Sequence, residues 1–427
     1  MPLQKLAFPP GFFRDQTRGS SEGRWFDCDK IRFRSGLPQK IGGWQRFSED
    51  TAAGQIRFLF NFISLTENNY LAIGSSQKFY IEEGGEFNDI TPIRKTSNLG
   101  ANPVTTGSSG SGEITVTDSS HGAVLNDTVI FASLTDTDSI TAAQLNTSHQ
   151  ITEIVSDNAY KVVTAGSAGS GSTAGGGGSG TANYEINVGL DTAVQGLGFG
   201  AGTYSRGTYG SAATISAGAF NQLRLWSADN FGEDLIFNVR NGGVYYWDES
   251  DGIGNRGIAL SAESGASNAP TVAVQIMVNN ESRHVIAFGC NALGSSTQDK
   301  LLIRWSDQES AVDWTPTATN SSGDLRLNSG SQIVKAYATR QEILVWTEEA
   351  LFSYRFIGEP FIFGISVISR NITLIAPNTV ASLNGVVYWM GLRDFFAYTG
   401  RVQELPSTVK DYVFGDINRE QAQKIHA

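Results

Sequence analysis

Short apolar runs alternate with turn residues along most of the chain. The recurring unit is a strand-like apolar run, a turn, and a second run that carries paired aromatic residues. Five such units are visible, at 70–92, 234–250, 284–307, 342–356 and 385–405. Alternating or β-branched runs bounded by turn residues are typical of strands. The pattern therefore predicts an all-β fold.

One aromatic residue marks each unit, and the marks recur at similar distances. They are Tyr80, Tyr246, Trp305, Phe352 and Phe396. The last three intervals between these residues are 59, 47 and 44 residues. The first interval is 166 residues, and it falls to 56 when an unrelated segment at roughly 97–206 is left out. A period of about 40–50 residues of consecutive strands is the signature of propeller blades. We therefore predict a β-propeller body over 57–96 plus 206–427, with Trp346 and Trp389 buried between blades.

The segment that interrupts the repeat has Gly/Ser-rich flanks and a strand-like centre. Four runs within it, GEITVTD, DTVIFASL, HQITEIVSD and NAYKVVTAG, alternate in polarity or are rich in β-branched residues. They predict a small β-sandwich or barrel inserted over 97–205 and projecting outward. The Gly/Ser-rich loop 165–182 is expected to be mobile. The glycines of GFGAGTYSRGTYG (198–210) are expected to allow a close backbone approach where the chain returns to the propeller.

The N-terminal segment, 1–56, follows neither pattern. Its central part, SSEGRWFDCDKIRFRSGLPQKIGGWQRF (20–47), mixes Arg, Trp and Phe with turn glycines. We predict an extended segment and a hairpin that pack on the propeller. The same stretch holds the densest basic cluster of the chain, made by Arg24, Lys30, Arg32, Arg34, Lys40 and Arg46.

Composition and charge restrict the classes of function. The chain has 427 residues, of which 48 are Gly and 40% are hydrophobic, so it can bury a sizeable core between many turns. A net charge of −11 argues against a broad phosphate-binding face but permits a local basic strip. The N-terminus has prolines where a signal peptide needs an apolar run, and no run approaches the length of a membrane span. We expect assembly in the cytoplasm and no membrane span.

The stretch IRWSDQESAVDWTP (303–316) is the strongest candidate for a site. It resembles the Asp-box of sialidase propellers, with Ser306, Asp307 and Trp314 in the characteristic places. Glu309 or Ser310 replaces the central Gly of the box. Ser and Asp side chains of such a box hydrogen-bond the backbone of a tight turn, and its Trp packs between strands. We therefore interpret the stretch as a structural turn.

Other candidate chemistry is unselective. The acidic pairs Asp248–Glu249 and Glu348–Glu349 lie beside aromatic runs, where solvated loop positions are expected, although a glycosidase would need two carboxyls across a cleft. The four histidines and two cysteines have no metal-ligand spacing, and no phosphate-binding glycine motif stands in a βαβ context. The sequence thus predicts no catalytic residue, cofactor or metal site.

Several long motifs resemble a family of tail proteins of short-tailed bacteriophages, the packaged-DNA stabilisation or tail hub (nozzle) proteins. RWFDCDKIRFRSGLPQKIGGW is similar to the opening motif of the family. Later blocks are similar over 303–334, 340–364 and 385–418, and HGAVLNDTVIF (121–131) resembles a motif of the small β domain of some members. The resemblance covers the first 50 residues and about 280–427.

The resemblance implies a structural virion protein without catalytic residues. Members form a homohexameric nozzle of β-propeller subunits below the portal and adaptor, which retains the packaged genome and lets it pass at ejection. DNA would cross the lumen without sequence-specific binding. Because the chain is acidic, we expect a mainly acidic or polar lumen wall. The basic cluster from Arg24 to Arg46 is then expected at a subunit or adaptor interface, unless it only solvates the hairpin.

Three alternatives stay open. Family members usually continue beyond the block that corresponds to 385–418, so this chain is either a short member or part of a longer polypeptide whose further strands help to close the propeller. The protein could also be a phage tail depolymerase with carboxylates in a central pocket. The third alternative is a glycan- or receptor-binding module whose insert exposes aromatic residues.

Overall fold

A computed structural model of the protein describes residues 8–186 and 223–427. In these residues the structure has one two-stranded hairpin, one eight-stranded sheet and five four-stranded antiparallel sheets that form the blades of a β-propeller. The predicted all-β propeller class is therefore confirmed. The stretch 198–210 and the predicted boundary at 205–206 lie outside the described residues.

The N-terminal hairpin pairs β1 (Ile31–Arg34) with β2 (Leu37–Lys40). Ser35 and Gly36 form its two-residue loop, and both have positive φ, of 52° and 79°. Two positive φ values are the mark of the type I′ turn, whose twist matches that of the flanking strands. Blade 1 follows, as β3 (Ile56–Ile63), β4 (Asn69–Ser75), β5 (Phe79–Glu83) and β6 (Glu86–Asp89).

The inserted sheet interrupts the propeller between blades 1 and 2. Its strands are β7 (Ile93–Asn98), β8 (Val104–Thr106), β9 (Glu113–Thr117), β10 (Thr128–Ala132), β11 (Ser148–Ser156), β12 (Ala159–Val163), β13 (Ala174–Gly175) and β14 (Thr181–Glu185), with helix α1 (Ala142–Leu145) after β10. The spatial order is β13-β8-β9-β12-β11-β10-β14-β7. Strands near opposite ends of the sheet, such as β8 and β14, contribute to one apolar core, so the sheet curls around it.

Two details of the insert differ from the sequence prediction. The sheet begins at Ile93 rather than at 97, because β7 pairs with the exit strand β14. The Gly/Ser-rich tract 165–182 contains β13 and the start of β14. The carboxylate of Asp138 also fastens this tract, since it accepts hydrogen bonds from the backbone N–H groups of Ser170 and Gly171 at 2.8 and 2.7 Å. These bonds hold the pKa of Asp138 down, at about 2.

The other four blades follow the insert in chain order. Blade 2 is β15 (Trp226–Phe231), β16 (Asp234–Val239), β17 (Val244–Trp247) and β18 (Ile258–Ala259). Blade 3 is β19 (Gln275–Asn279), β20 (His284–Phe288), β21 (Leu302–Trp305) and β22 (Gly323–Arg326). Blade 4 is β23 (Ile333–Ala338), β24 (Ile343–Thr347), β25 (Ala350–Gly358) and β26 (Ile362–Arg370). Blade 5 is β27 (Val380–Leu383), β28 (Val386–Met390), β29 (Phe395–Tyr398) and β30 (Val402–Glu404).

Short helices complete the described chain. The α-helix α2 spans Lys410–Asp416, and 3₁₀ turns span Glu249–Asp251, Leu260–Ala262 and Arg419–Lys424. Phe414 of α2 packs against Phe395 of blade 5, with ring centroids 5.3 Å apart. The C-terminal segment is thereby attached to the last blade.

The first strands of blades 1 to 4 lie side by side around the propeller axis, since β15 contacts both β3 and β19, and β19 contacts β23. Apolar clusters join blade 1 to 2, 2 to 3, 3 to 4 and 4 to 5. The five aromatic marks of the sequence all lie on third strands, namely β5, β17, β21, β25 and β29. The five predicted repeats therefore correspond to the five blades, with the marks at equivalent positions. The predicted burial of Trp346 and Trp389 is also confirmed, since their side chains are 0% and 2% exposed.

In blades 1 and 4, a side-chain hydroxyl stabilises the turn between the second and third strands. In blade 1 the Ser75 Oγ accepts from the Lys78 N–H at 2.8 Å and donates to the Lys78 carbonyl at 3.0 Å. In blade 4 Thr347 does the same with Ala350, at 3.0 and 3.2 Å. A side chain that satisfies both backbone groups of its turn makes a tight reversal possible without a glycine.

A half-buried carboxylate bridges the first strands of blades 2 and 3. Asp229 on β15 accepts hydrogen bonds from the backbone N–H groups of Val278, at 2.9 Å, and Asn230, at 3.1 Å. Burial raises the pKa of Asp229 to about 6 in spite of these bonds. The folded state therefore favours the protonated form, and stability falls as pH rises from the unfolded value near 4 through about 6.

Replacing this carboxyl with an amide should stabilise the protein at neutral pH. Asp229→Asn keeps an oxygen for the Val278 N–H and removes the buried charge. We expect a gain of about 1–2 kcal/mol at pH 7 and a flatter stability profile between about pH 4 and 6. Urea unfolding monitored by Trp fluorescence at several pH values measures both, with the exposed Asp251→Asn as control. A loss of stability at pH 7 would show that the ionised carboxylate is the favoured form.

Candidate functional site

The N-terminal segment forms an arm, residues 8–50, that is anchored to the body at both ends. Near its start, the Arg14 N–H donates to the Thr408 carbonyl at 3.0 Å, and the Arg14 guanidinium lies 4.0 Å from the ring centroid of Tyr412. At its other end, Asp50 accepts from the Phe87 N–H in blade 1 at 2.9 Å. The arm therefore connects the last blade and its C-terminal helix to the first blade.

Aromatic packing fixes one face of the β1–β2 hairpin. Phe33 contacts Phe12 and Trp25, with ring centroids 5.5 and 6.2 Å away. Because side chains alternate across a strand, Arg32 and Arg34 lie on the opposite face, opposite Gln39 and Leu37 respectively. Both arginines are exposed, and Arg32 donates from Nε to the Gln39 side chain at 3.2 Å. The hairpin thus presents two guanidinium groups outward side by side.

The other predicted cationic residues are also exposed on the arm. Arg24 stacks on Phe13, 4.2 Å from its ring centroid, and Lys40 ends β2. Lys30, with φ of 56°, lies 3.8 Å from Asp29, and Arg46 lies 3.5 Å from Glu49. These exposed ion pairs contribute little to stability. The structure brings the six cations onto one arm but leaves their charge facing solvent.

Large apolar side chains lie between these cations, and sequence reasoning did not single them out. They are Leu37, Ile41, Trp44 and Phe47, which are 70%, 49%, 99% and 75% exposed. Residues 30–47 hold five Lys and Arg and no acid. We call residues 30–47 the basic arm surface. Two adjacent glycines, at 42 and 43, interrupt the strand pattern before Trp44. They are the feature of the sequence from which the absence of Trp44 from a sheet could have been predicted.

The Asp-box-like stretch folds as a turn, as the sequence predicted. The Ser306 Oγ accepts from the Val285 N–H at 2.9 Å, and Asp307 accepts from the Ser321 N–H at 2.7 Å. Trp314 is 1% exposed and donates from Nε1 to the Ala311 carbonyl at 2.8 Å. Burial raises the pKa of Asp307, but hydrogen bonds from Ser321 outweigh it, so the pKa is lowered. These polar groups are used within the turn and its neighbouring strands.

The departure from the Asp-box pattern has a structural consequence at Glu309. This residue has φ of 56°, a left-handed conformation in which a Cβ is unfavourable. Its exposed ion pair with Arg283, at 3.8 Å, offsets little of that cost. The turn therefore has the left-handed backbone conformation that suits a glycine, although Glu309 occupies the position.

Restoring a glycine at this position should stabilise blade 3. We expect Glu309→Gly to raise the free energy of unfolding by about 1 kcal/mol, because glycine adopts positive φ without the Cβ penalty. Chemical denaturation measures the change. Glu309→Ala is the matched control, since it removes the carboxylate but keeps the Cβ, and it should show no gain. An equal gain in stability in both variants would show that loss of the Glu309 carboxylate, and not relief of the positive φ, causes the effect.

The remaining acidic candidates are used in local hydrogen bonds. Asp248 accepts from the Ser250 N–H at 2.8 Å, and Glu249 accepts from the Tyr70 hydroxyl at 3.0 Å. Glu348 accepts from the Gln332 amide at 2.6 Å, and Glu349 accepts from the Ser329 hydroxyl at 3.3 Å. The structure does not bring the two pairs into a shared cleft.

Histidines and cysteines form no cluster within the described ranges. His121, His149 and His284 each hydrogen-bond to nearby backbone or hydroxyl groups, and Cys28 and Cys290 are both free thiols. Across residues 8–186 and 223–427, no three His, Cys, Asp or Glu side chains are placed to hold a metal ion. None of the helices in the same ranges has both the length and the apolar character of a membrane span.

Comparisons with known proteins add little to this picture. No family model and no curated protein sequence matches the chain. The phage phi92 endosialidase is similar over 84% of this chain and 47% of its own, at 12% identity and a TM-score of 0.22. The tricorn protease is similar over 83% of this chain and 27% of its own, at 9% identity and a TM-score of 0.26. PorZ, a component of the type-IX secretion system of Porphyromonas gingivalis, is similar over 90% of this chain and 46% of its own, at 6% identity and a TM-score of 0.30.

The chain spans less than half the length of each of these three structures. At such identities and TM-scores, the function has to be argued from the residues of the chain itself.

Proposed function

We propose that the protein is a structural tail component of a short-tailed bacteriophage, a nozzle or hub subunit. Six copies would form a ring below the portal and adaptor, retain the packaged genome and let it pass at ejection. The resemblance of the N-terminal and C-terminal motifs to the tail hub family suggests this role. The observation that supports it is the basic arm surface, whose cations and large apolar side chains are exposed in the single chain.

Two properties of this surface support a protein contact. Trp44 is 99% exposed and Phe47 is 75% exposed, and large apolar side chains grouped on a surface usually mark an interaction site. Aromatic and Arg side chains are enriched in protein interfaces. Anchoring at both ends of the arm reduces the ordering cost of binding, since the surface is held in place before the partner arrives.

A second copy of the same chain is the partner that charge favours. The basic arm surface has five cations and no acid, whereas the whole chain has a net charge of −11. The rest of each subunit is therefore strongly acidic, and the arm of one copy is electrostatically complementary to the body of the next. An acidic ring would also suit a DNA conduit, because clustered cations on its wall would retain the phosphates of passing DNA.

Charge reversal of the two hairpin arginines tests this function. Arg32→Glu/Arg34→Glu should abolish ring formation by the full chain, as seen by native mass spectrometry and negative-stain electron microscopy. Circular dichroism and thermal unfolding should stay unchanged, because both side chains face solvent. Arg340→Glu/Arg370→Glu changes the net charge equally at two exposed positions outside the arm and should assemble normally.

Two results would contradict the proposal. Rings that form normally but lose or misdirect DNA would place the arginines on the channel wall. A wild-type chain that stays monomeric and cleaves or binds host surface glycans would instead support a depolymerase or glycan-binding propeller.

A further inference from the structure

The outer edges of the five blades differ in how well they are protected from pairing with another chain. Four of the five fourth strands have only two to four residues, and three of these four contain charged side chains. Short edge strands and charged side chains are common means of preventing strand addition at a sheet edge. The fourth strand of blade 4, β26, has nine residues, and its one charged residue is Arg370 at the very end. Among the described blades, blade 4 therefore has the least protected outer edge.

The outer side of β26 has no strand beside it in the ranges 8–186 and 223–427. Its inner side pairs with β25, and β26 stands at the end of the order β23-β24-β25-β26. The outward-pointing backbone N–H and C=O groups of an edge strand form a row of donors and acceptors. An extended segment is the partner that matches such a row, because its own backbone supplies the complementary groups at the same spacing.

Aromatic packing holds β26 in place near its start. Phe363 is 3% exposed, and its ring centroid lies 4.8 Å from that of Tyr354 and 5.1 Å from that of Trp305. Trp305 belongs to β21 of blade 3, so this packing fixes β26 against the neighbouring blade as well as against β25. An edge that is ordered before binding loses less conformational entropy when a partner strand is added.

The side chains of β26 specify the pattern of a segment that would pair with it. Phe363, Ile365 and Val367 lie opposite aromatic residues of β25, on the face that contributes to the core between blades 3 and 4. Val367 is 38% exposed, so this apolar row is only partly covered. The other face carries the small residues Gly364 and Ser366. Because paired strands place opposing side chains on the same face, an added strand would need apolar side chains at alternate positions.

The tip of the β25–β26 hairpin adds apolar surface at one end of this edge. Both strands have nine residues, whereas the third and fourth strands of the other blades have two to five. At the tip, Ile357 and Phe361 are 56% and 73% exposed. Large apolar side chains grouped on a surface mark interaction sites. The tip therefore offers further contact area to a segment that pairs with β26.

Charge distinguishes between the possible partners of this edge. Arg370 is exposed and forms no ion pair with any described residue. An acidic residue at the matching end of an added segment is therefore favoured, while Glu359 lies in the tip, outside the paired stretch. The basic arm surface of a second copy, with five cations and no acid, would bring like charge to Arg370. The edge is accordingly suited to a different chain.

We propose that β26 binds an extended segment of a second kind of protein, which adds to blade 4 as a fifth strand. The segment has about five to seven residues, with apolar side chains at alternate positions and an acidic residue beside Arg370. Strand addition of this kind obtains its affinity from main-chain hydrogen bonds and its specificity from the alternate side chains. The contact is independent of the arm and goes beyond the proposed role in ring formation.

The experiment uses the full chain and fluorescein-labelled peptides of about seven residues, in which Val and Thr alternate and one Glu stands at either end. Fluorescence anisotropy should show that one of the two peptides binds better. A Glu at the N-terminal end meets Arg370 in an antiparallel pairing, and a Glu at the C-terminal end meets it in a parallel pairing. A third peptide, with two adjacent central residues replaced by Pro, cannot form the ladder and should not bind.

Three variants locate the binding at β26. Val367→Lys should weaken binding of the preferred peptide about fivefold or more, because an apolar cross-strand pair is lost and a charge protects the edge. Ile258→Lys is the matched control, since it makes the same kind of change at a 45% exposed residue on the outer edge of blade 2, and it should bind like the wild type. Arg370→Glu should shift the preference to a peptide with Lys in place of Glu. All three positions are exposed, and circular dichroism checks that the variants fold.

Hydrogen exchange of the wild type gives a second readout that needs no variant. The preferred peptide should slow amide exchange selectively in residues 362–370, because outward N–H groups become hydrogen-bonded. The proposal is overturned if neither Glu peptide binds, if the Pro peptide binds equally well, or if the protection appears on the arm. Protection of 362–370 that rises with protein concentration alone would assign the edge to a second copy of this chain and would also contradict the proposal.

Discussion

Replacing Trp346 with Ala should lower the free energy of unfolding by about 3–5 kcal/mol, the range for deleting a large core aromatic side chain. Trp346 on β24 is fully buried and packs against Trp389 of blade 5, with ring centroids 5.4 Å apart and planes at 67°. Its indole N–H has no hydrogen-bond partner among the described residues, so the loss is one of packing alone. The truncation would leave a cavity between blades 4 and 5.

The chain offers a control of the same residue type. Trp44→Ala removes an indole that is 99% exposed, so we expect a change within about 0.5 kcal/mol. Urea denaturation followed by far-UV circular dichroism measures both variants. A cost for Trp346→Ala no larger than that for Trp44→Ala would mean that blades 4 and 5 do not share this core.

The repeat could be predicted from sequence because its signal is local. Each blade needs alternating strands, a turn and an aromatic residue on the third strand, and all of these lie within about 50 residues. Tyr80 and Phe352 mark equivalent strands in blades 1 and 4 for this reason. The Asp-box-like turn at Ser306 and Asp307 was predictable for the same reason, since its partners are close in sequence.

The interior charges could not be predicted, because they depend on long-range pairing. Lys78 and Glu185 are 107 residues apart, and their contact requires the whole insert to fold and return to blade 1. Lys335 and Arg240 meet only because blades 2 and 4 place their ends near one axis. For the arm, the sequence revealed the cations but not the exposure of Trp44, since burial depends on what the rest of the fold covers.

The junction between the insert and the propeller contains a buried ionic network. The Lys78 ammonium lies 2.6 Å from Asp89 and 2.9 Å from Glu185. Arg256, in a blade 2 loop, lies 2.9 and 3.0 Å from the same two carboxylates. Glu185 ends β14, so the network fastens the exit strand of the insert to blades 1 and 2.

The two carboxylates respond differently to their surroundings. Burial raises the pKa of Glu185 and outweighs the nearby cations, whereas Lys78 and Arg256 overcome burial at Asp89 and lower its pKa. Burial opposes the charge on Lys78, but Glu185 and Asp89 together raise its pKa. One oxygen of Glu185 has no hydrogen-bond partner among the described residues, so this carboxylate depends on its two cationic neighbours.

Removing the Lys78 ammonium should therefore be among the most damaging single changes in the chain. In Lys78→Met the apolar stem is kept, but Asp89 and Glu185 face each other with Arg256 as their shared cation. Breaking one side of a buried ion pair leaves uncompensated charge, and we expect a loss of about 3–5 kcal/mol at pH 7. The exposed Lys300→Met should change stability by less than about 0.5 kcal/mol.

The pH dependence of this loss distinguishes charge from packing. Without Lys78, the folded-state pKa of Glu185 should rise further above its unfolded value, so the penalty applies at pH values where Glu185 is ionised and is relieved as pH falls through the raised pKa. The stability difference between wild type and Lys78→Met should accordingly shrink between pH 7 and about 5. The double variant Lys78→Met/Glu185→Gln should recover much of the loss at pH 7, because the uncompensated charge is gone. Denaturation curves for the three proteins at both pH values test this, and a loss that is independent of pH and is not rescued by the double variant would assign the effect to packing around the Lys78 stem.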